Sequence, residues 1–243
     1  MEAVILAAGY GSRLGHHTRE IPKALLKIGN KPLIYYAVQT LMDKGIKDII
    51  VVTGHKGYKL REYLSRFDLN FKFVHNSLYR KTNNIYSLHL AIDHVRKGFY
   101  ILNSDVLFHP EIFDCLHNNG SETLTLSVDM VKRLGEEEMK VKIADGSVKE
   151  ISKQIPPSEA DGEYIGIAKV HESAVDDLNE HISLVMDRKG RRVFYEEAFQ
   201  SMIDAGHEVS YESTKGLPWI EIDTPYDLMT ARYVVYPSIT HQS

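Results

Sequence analysis

A chain of 243 residues with 43% hydrophobic and 26% charged side chains has the composition of one large globular α/β domain or of two small ones. Its formal net charge of −4 argues against a nucleic-acid-binding protein, which usually carries an excess of basic residues. The single cysteine excludes an intramolecular disulfide, and no stretch approaches the roughly 18 apolar residues of a membrane span. With no signal-peptide pattern either, we expect a cytoplasmic monomer or homodimer.

The first half of the chain alternates strand and helix patterns. Apolar runs predict buried strands at residues 4–7, 48–54 and 99–105, and alternation predicts a further strand at 71–76. Helical periodicity predicts helices between them, in "PLIYYAVQTLMDKG", "YKLREYLSRF" and "NIYSLHLAIDHV", and the first of these should stop at Gly45. Such alternation is typical of a doubly wound, parallel sheet with right-handed crossovers.

The second half changes character. Strands are predicted in "TLTLSVDM", "YIGIAKV", "EVSYES" and "WIEID", helices in "AVDDLNEHISLV", "EEAFQSMIDAG" and "PYDLMTARYVVY", and a hairpin that turns at Asp145-Gly146 in "VKIADGSVKEI". We therefore predict an α/β fold with a single Rossmann-like, doubly wound domain over residues 1–236. Its sheet should be mixed but mostly parallel, with a small β-hairpin lobe. Residues 237–243 are predicted to form a flexible tail.

A glycine-rich turn follows the first strand, in "VILAAGYGSRLG". Glycine lets the main chain approach a ligand closely, and such a turn points backbone N–H groups at one spot that suits phosphate oxygens. Arg13 adds a fork of donors for the same anion. The glycines do not have the dinucleotide spacing G-x-G-x-x-G, and the Gly-Lys-Ser/Thr of a Walker A loop is missing. A tight turn with a surface arginine is the alternative.

Three charged residues complete this candidate site: Lys23 in "IPKALL", Asp105 in "LNSDV" and Asp223 in "WIEIDTPYDL". Both aspartates follow predicted strands, and ligands of open α/β sheets bind beyond the carboxyl ends of the strands. Two carboxylates beside a phosphate-binding turn suit Mg²⁺ on a nucleotide, and a lysine supplies positive charge to the phosphoryl group under attack. The alternatives are a solvated lysine, an aspartate that caps its turn, and an N-cap for the helix that begins at Pro225.

Taken together, "LAAGYGSRL", "IPKALL", "NSDV" and "IDTPYDL" resemble the nucleotidyltransferases that activate sugar phosphates and related compounds. The resemblance covers Val4 to about Tyr233 and implies the nucleotidyltransferase fold. It also implies the reaction, in which an acceptor phosphate attacks the α-phosphate of a nucleoside triphosphate in line and pyrophosphate leaves. Arg13 and Lys23 would then be catalytic, and Asp105 and Asp223 would hold Mg²⁺. The implied nucleotide-binding residues of the first strand, its turn and the later motifs are Leu6, Ala7, Ala8, Gly9, Gly11, Ser12, Arg13, Lys23 and Ser104.

The stretch "YRKTNNIYSLHLA" bears on the nucleotide. It resembles the phosphocholine and inositol-1-phosphate cytidylyltransferases, and phosphonate cytidylyltransferases are similar, whereas hexose-1-phosphate enzymes carry a Gly-Thr/Pro-Ala type of turn here. Asn83, Asn84 and Ser87 are therefore expected to bind the nucleotide, with Asn84 and Ser87 as contacts to the base of CTP, since amide side chains can pair with a pyrimidine edge. An N-cap at Asn83 or Asn84 is the structural alternative, and both can hold at once.

The acceptor site rests on fewer signals. Lys153 falls where relatives place a lysine that touches the acceptor phosphate, and a solvated hairpin lysine is the alternative. Further acceptor candidates are Glu163, Tyr195 and Glu221, and Glu221 is also a possible metal ligand. Two acceptors stay open, because an aromatic and acidic cage suits choline and hydrogen-bonding side chains suit inositol phosphate. The residues available for a choline cage are Tyr164, Tyr195 and Glu196. Those available for inositol phosphate are Glu163, Asn179 and His181.

We predict a Mg²⁺-dependent enzyme that transfers CMP from CTP to a small phosphorylated alcohol or phosphonate, such as inositol 1-phosphate or phosphocholine. Its partners would be these small molecules, with no nucleic acid and no membrane. The enzymatic alternative is a hexose-1-phosphate uridylyl-, thymidylyl- or guanylyltransferase. A regulatory nucleotide-binding subunit is a second alternative, but it would be expected to lack a metal carboxylate or the lysine. A nicotinamide-dependent dehydrogenase fits least, since the second strand ends in "VVTGHKG" without an acidic residue.

Overall fold

A computed structural model describes residues 1–240 of the chain. The strands within these residues are β1 (Glu2–Ala7), β2 (Lys27–Ile28), β3 (Lys31–Pro32), β4 (Asp48–Thr53), β5 (Asn70–His75), β6 (Phe99–Asn103), β7 (Val106–Phe108), β8 (Leu124–Asp129), β9 (Lys140–Ala144), β10 (Ser147–Ser152), β11 (Gly162–Val170), β12 (Val209–Ser213) and β13 (Trp219–Glu221). The α-helices are α1 (Leu33–Asp43), α2 (Gly57–Leu64), α3 (Asn84–Ile92), α4 (Pro110–Asn118), α5 (Val175–Lys189), α6 (Glu196–Asp204), α7 (Pro225–Thr230) and α8 (Tyr236–Thr240). Across residues 1–240, no helix combines the length and the apolar character that crossing a membrane requires.

A nine-stranded mixed sheet forms the centre of the fold, with the strand order β10-β9-β11-β6-β1-β4-β5 and with β8 and β12 attached through β11. In its parallel half, Val4 of β1 lies opposite Ile50 of β4 and Ile101 of β6. These strands are apolar on both faces because helices cover both sides of the sheet. The predicted α/β class and the mostly parallel sheet are confirmed.

Two local turn predictions are also confirmed. Helix α1 ends at Asp43, and Gly45 follows in the left-handed conformation (φ 69°) that glycine adopts without strain. Strands β9 and β10 form the predicted hairpin, and Asp145 and Gly146 at its tip both have positive φ, as a two-residue hairpin turn requires. Through β9 and β11 the hairpin continues the main sheet, so its lobe is an extension of that sheet.

Strand β11 reverses the direction of the sheet. It runs antiparallel to β6, with Ile167 opposite Leu102, and it also pairs with β8 and β9 in antiparallel fashion. A separate small sheet joins β7 to β13, with Glu221 opposite Val106. The pairing of β7 with β13 brings two distant chain segments together directly beyond the end of β6.

The C-terminal segment differs from its prediction. Residues 236–240 form helix α8, which follows a π-helical stretch at Ala231–Val235, and Ile239 is buried in a third apolar cluster. The turn between β2 and β3 packs closely on the start of α8. A Cβ at Gly29 in this turn would lie 2.6 Å from the Tyr236 ring. Residues 237–240 are thus helical, beyond the predicted end of the last helix at Tyr236, and residues 241–243 lie outside the described residues. The flexibility of 237–243 stays a prediction. The predicted domain boundary stays a prediction.

Candidate active site

A cleft of about 290 Å³ lies beyond the carboxyl ends of β1, β5 and β6. Most of the residues that the sequence predicts for the site line it. They are Leu6, Ala8, Gly9, Gly11, Ser12, Arg13, Lys23, Asn83, Asn84, Ser87, Asp105, Lys153, Glu221 and Asp223. The cleft therefore brings together six separate segments of the chain, as the strand-end argument requires.

The glycine-rich turn forms one wall of the cleft. Gly11 has a left-handed backbone (φ 65°), and Thr18 Oγ1 donates a hydrogen bond of 2.8 Å to its carbonyl oxygen. On the other side, Gly54 at the end of β4 lies so close to the turn that a Cβ there would be 2.3 Å from the carbonyl oxygen of Ala8. These contacts fix the turn, which continues into a 3-10 helix at Ser12–Thr18.

Three carboxylates meet at the floor of the cleft. The ligating oxygens of Asp105, Glu221 and Asp223 all lie within 4.8 Å of one another. Their proximity follows from the pairing of β7 with β13, which is extended by a 2.9 Å hydrogen bond from Ile222 N–H to the carbonyl oxygen of Asp105. Thr224, together with Asp227, forms the capping box of α7, which leaves the side chain of Asp223 to the cleft.

Lys23 bridges two of these carboxylates. Its Nζ atom lies 2.8 Å from Asp105 Oδ2 and 2.6 Å from Asp223 Oδ1, and its side chain is only 9% exposed. Arg13 Nη2 lies 2.7 Å from Asp223 Oδ2. Burial alone would lower the pKa of Lys23, but the two carboxylates outweigh it, so the pKa lies above its ordinary value. A solvated surface lysine is therefore excluded.

The carboxylates respond to one another and to these cations. Desolvation by the cleft walls, together with the charges of Asp105 and Asp223, raises the pKa of Glu221 to about 8, although its side chain still reaches solvent. Burial also acts to raise the pKa of Asp223, but Lys23 and Arg13 bring it below its ordinary range. A group of three carboxylates beside two cations keeps an excess of negative charge once all three are ionised.

The carboxylate cluster has the chemistry that a divalent cation requires. Mg²⁺ prefers oxygen ligands and takes one or two protein carboxylates alongside phosphate oxygens and water. Within residues 1–240, Asp105 Oδ1 is buried and has no hydrogen-bond partner, so this oxygen has an unused lone pair at the cluster. The residues present therefore fit such an ion, with Asp105, Asp223 and Glu221 as candidate ligands.

Elsewhere in the cleft, three side-chain oxygens each already accept a hydrogen bond within the protein. Asn83 Oδ1 accepts a hydrogen bond of 2.8 Å from Asn84 N–H, which caps helix α3 as the structural alternative predicts. Asn84 Oδ1 accepts from Tyr195 N–H at 2.9 Å, and Ser87 Oγ accepts from Asn76 Nδ2 at 3.1 Å. Because backbone N–H groups fix both amide orientations, the two Asn Nδ2 groups and the Ser87 hydroxyl remain as donors.

Five lining residues are missing from the sequence prediction: Asn76, Tyr79, Thr82, Asn103 and Phe194. Asn76 directly follows β5 and Asn103 ends β6, so the strand-end argument that found Asp105 could have found both. Tyr79 and Thr82 lie in the loop before α3, close to the predicted asparagines. Phe194 carries no comparable signal, because its position depends on the packing of α5 and α6.

Four predicted residues do not reach the cleft. Tyr195 is fully buried, and its hydroxyl bonds to Tyr164 Oη at 2.9 Å and to Asn103 Oδ1 at 3.3 Å, so it supports the wall behind the cleft. Glu163 is buried and accepts a 2.9 Å bond from Lys132. Ala7 and Ser104 are buried beside the lining residues. Of the inositol candidates, His181 instead bonds to Ser201 Oγ at 2.7 Å, between α5 and α6.

Glu196, the remaining choline candidate, is a buried acid at the start of α6. It is 5% exposed, and within the described part of the chain its Oε2 atom has no hydrogen-bond partner. Burial raises the pKa of this carboxyl from 4.5 to about 7. The folded protein then binds more protons than the unfolded chain between these two values, so this group lowers stability as the pH rises through that window.

We expect Glu196→Gln to raise the free energy of unfolding at pH 8 by about 3 kcal/mol, and to change it little at about pH 3, where the acid is mostly protonated in both states. Urea unfolding of the wild type and the variant at both pH values measures this difference. Glu62→Gln, at an exposed position of α2, is the matched control. A stabilisation that is equal at both pH values would contradict the buried-acid explanation.

Comparison with known protein families identifies the family of this chain. A family model described as "MobA-like NTP transferase domain" matches residues 3–137, more than half of the chain. The chain belongs to the MobA-like NTP transferase family. As a member of this family it is a nucleotidyltransferase, and the matched region includes the glycine-rich turn, Lys23, the two asparagines and Asp105. Lys153, Phe194, Glu221 and Asp223 lie beyond it.

Curated relatives extend the similarity to nearly the whole chain. The CTP:phosphoglutamine cytidylyltransferase of Campylobacter jejuni is 29% identical over 249 residues, which cover 94% of this chain and 98% of the relative. The bifunctional IPC transferase and DIPP synthase of Aquifex aeolicus is 29% identical over 246 residues, 98% of this chain and 52% of the relative. The choline-phosphate cytidylyltransferase of Streptococcus pneumoniae is 39% identical over 108 residues, 44% of this chain and 46% of the relative. This NTP transferase thus spans about half the length of the bifunctional relative.

Solved structures support the fold. The inositol-1-phosphate CTP transferase from T. maritima superimposes with a TM-score of 0.83 at 22% identity, covering 98% of this chain and 94% of that chain. The CTP:phosphocholine cytidylyltransferase LicC from Streptococcus pneumoniae superimposes with a TM-score of 0.78 at 24% identity, covering 96% and 98%. At identities of 22% and 24%, these superpositions establish that this chain has the nucleotidyltransferase fold.

Proposed function

We propose that the chain is a Mg²⁺-dependent cytidylyltransferase, which transfers CMP from CTP to the phosphate or phosphonate group of a small acceptor and releases pyrophosphate. The observation that carries the choice of nucleotide is the set of donors at the end of the cleft formed by Asn83, Asn84 and Ser87. The names of the relatives, which include a cytidylyltransferase whose match covers 94% of this chain, support the same assignment.

Cytosine complements adjacent donors better than uracil, thymine or guanine. Its O2 and N3 atoms are two adjacent hydrogen-bond acceptors, whereas uracil and thymine carry an N–H donor at N3 between their two carbonyl oxygens, and guanine carries N–H donors at N1 and N2. A donor that meets another donor leaves two buried polar groups unsatisfied, and such mismatches are costly. The side-chain orientations of Asn83 and Asn84 therefore favour CTP.

The other residues have distinct roles in the transfer. Arg13 and the backbone N–H groups of the glycine-rich turn bind the triphosphate, and Lys23 stabilises the negative charge that develops on the α-phosphate. An oxygen of the acceptor phosphate forms the new bond to the α-phosphorus as the bond to the bridging oxygen breaks, and pyrophosphate takes that electron pair away. Asp105, Asp223 and Glu221 would hold Mg²⁺, which supplies charge neutralisation to the triphosphate oxygens when it is bound.

Lys153 is the residue that we assign to the acceptor phosphate, since it lines the cleft and its positive charge acts to lower the pKa values of Glu221 and Asp223 in the carboxylate cluster. The four charged residues Arg13, Lys23, Asp105 and Asp223 all face one cleft. Their convergence favours an enzyme over a regulatory subunit that has lost its catalytic groups. Monomer and homodimer are both compatible with this proposal.

The test is pyrophosphate release with Mg²⁺ from CTP, UTP, GTP, dTTP and ATP, each crossed with a panel of acceptors. The panel contains phosphocholine, inositol 1-phosphate, phosphoglutamine, 2-aminoethylphosphonate and glucose 1-phosphate. We expect release with CTP and a non-hexose acceptor. Release only with another nucleotide and glucose 1-phosphate would contradict the cytidylyl assignment.

A substitution at Ser87 tests the contact with the base. We expect Ser87→Ala to raise the KM for CTP about three- to tenfold, because one hydrogen bond is worth about 0.5–1.5 kcal/mol. Steady-state kinetics at saturating acceptor measures this change. Ser183→Ala is the matched control, since the Ser183 hydroxyl bonds to the Asn179 carbonyl oxygen within α5 and does not line the cleft. An unchanged KM for CTP in Ser87→Ala would exclude Ser87 as a base contact.

A further inference from the structure

The segment 190–195, which joins α5 to α6 and is called the strap below, is tied to the base end of the cleft by three hydrogen bonds. Asn83 N–H donates to the Arg191 carbonyl oxygen at 2.8 Å, and Tyr195 N–H donates to Asn84 Oδ1 at 2.9 Å. Arg192 Nε donates to the Lys81 carbonyl oxygen at 3.2 Å. Both asparagines that face the base are thus bonded to the strap.

The same strap also contacts the acceptor end. Phe194 lines the cleft, and Lys153 Nζ lies 5.0 Å from the centroid of its ring, within the range of a cation–π contact. Lys153 follows directly after β10, at the end of the hairpin, so no regular element restrains its side chain. A lysine side chain has many rotamers, and an aromatic face beneath its ammonium group restricts them.

We infer that Phe194 positions Lys153 for the acceptor phosphate, and that the strap links this position to the base site, so that nucleotide binding prepares the acceptor site. The inference rests on the proposed function for the role of Lys153. It adds Phe194 as a positioning residue for Lys153, and it adds a physical connection between that lysine and the asparagines of the base site. It does not depend on which base the nucleotide carries.

Substitution of the ring tests the first step. We expect Phe194→Leu to raise the KM for the acceptor about fivefold, the effect of one cation–π contact, with kcat and the Kd for the nucleotide unchanged. Phe194→Tyr, which keeps the aromatic face, should restore the wild-type KM. Tyr35→Leu is the matched control, because Lys31 Nζ lies 5.0 Å from the Tyr35 ring in a pair that does not line the cleft.

These kinetics use the nucleotide and acceptor pair that releases pyrophosphate in the panel above, so failure of the cytidylyl assignment leaves the test intact. An unchanged acceptor KM in Phe194→Leu, an equal rise in Phe194→Tyr or Tyr35→Leu, or an equal rise in the nucleotide Kd would overturn the positioning role.

Arg192→Ala tests the link, since it removes one bond between the strap and the base end while the side chain lies outside the cleft. The readout is the rate at which an amine-specific reagent modifies Lys153, measured by mass spectrometry with and without CTP and Mg²⁺. We expect nucleotide to slow this modification in the wild type and in the control Arg188→Ala, and to slow it less in Arg192→Ala. No effect of nucleotide in the wild type, or an equal effect in all three proteins, would overturn the link.

Discussion

Asp105→Asn is expected to lower kcat/KM for nucleotidyl transfer by about a thousandfold, because it removes a carboxylate from the centre of the charged cluster. Asp105 has one oxygen on Lys23 and one buried oxygen without a hydrogen-bond partner among residues 1–240. An amide at this position keeps the shape but presents an NH₂ group or a weaker ligand to a cation. Pyrophosphate release over a range of Mg²⁺ concentrations measures the loss and its dependence on the metal.

Asp48→Asn is the control for this substitution. Asp48 begins β4, at the opposite end of the strand from the cleft, and its side chain contacts Asn70 and Lys97 near the surface. We expect full activity from this variant. An Asp105→Asn protein that is folded and keeps wild-type activity would show that the cluster does not hold the catalytic cation.

Lys23→Met is expected to lower kcat by about a hundred- to a thousandfold, since Lys23 is the buried positive charge closest to the carboxylates that face the phosphates. The same substitution leaves Asp105 and Asp223 next to each other without their shared cation. Removal of one partner from a buried ion pair costs about 3–5 kcal/mol in stability. Because both aspartates are about a quarter exposed, we expect a loss towards the lower end of this range.

Thermal unfolding with a chelator and with Mg²⁺ separates these two effects. The variant should be less stable than the wild type in the chelator, and Mg²⁺ should stabilise the variant more than it stabilises the wild type. Lys27→Met, at an exposed position on β2, is the matched control and should behave as the wild type in both assays. A catalytic loss without any difference in the response to Mg²⁺ would place Lys23 at the phosphates but not at the cation site.

The sequence predicts the parallel half of the fold well because its signals are local. The apolar runs at 48–54 and 99–105 need no knowledge of their neighbours, and Gly45 and Asp145-Gly146 carry their turn conformations in their own chemistry. The helix at residues 236–240 could not be predicted from local signals. It packs through Tyr236 against Gly29, more than 200 positions away, and nothing in residues 237–240 alone indicates this contact.

The same distinction applies to the site. Asp105 and Asp223 are predictable from their positions at strand ends, and Asn83 from its capping chemistry. Glu163 and Tyr195 do not line the cleft, because distant partners hold them elsewhere: Lys132 bonds to Glu163, and the Tyr164 hydroxyl bonds to Tyr195. Phe194 could not be predicted from the sequence, because its ring reaches the cleft through the packing of α5 on α6 and not through a local motif.

The reversal of β11 has a consequence for how such a protein can change over time. Up to β6, the parallel strands fix which residues arrive at the cleft, and a shift in any of them would disturb the nucleotide end. After the reversal, the loop that holds Lys153 and the strap that holds Phe194 also reach the cleft, and neither is bound by the parallel register. If these residues contact the acceptor as proposed, substitutions in the later part of the chain can change its binding without moving β1, β4 or β6, whereas Glu221 and Asp223 stay tied to Asp105 in the carboxylate cluster.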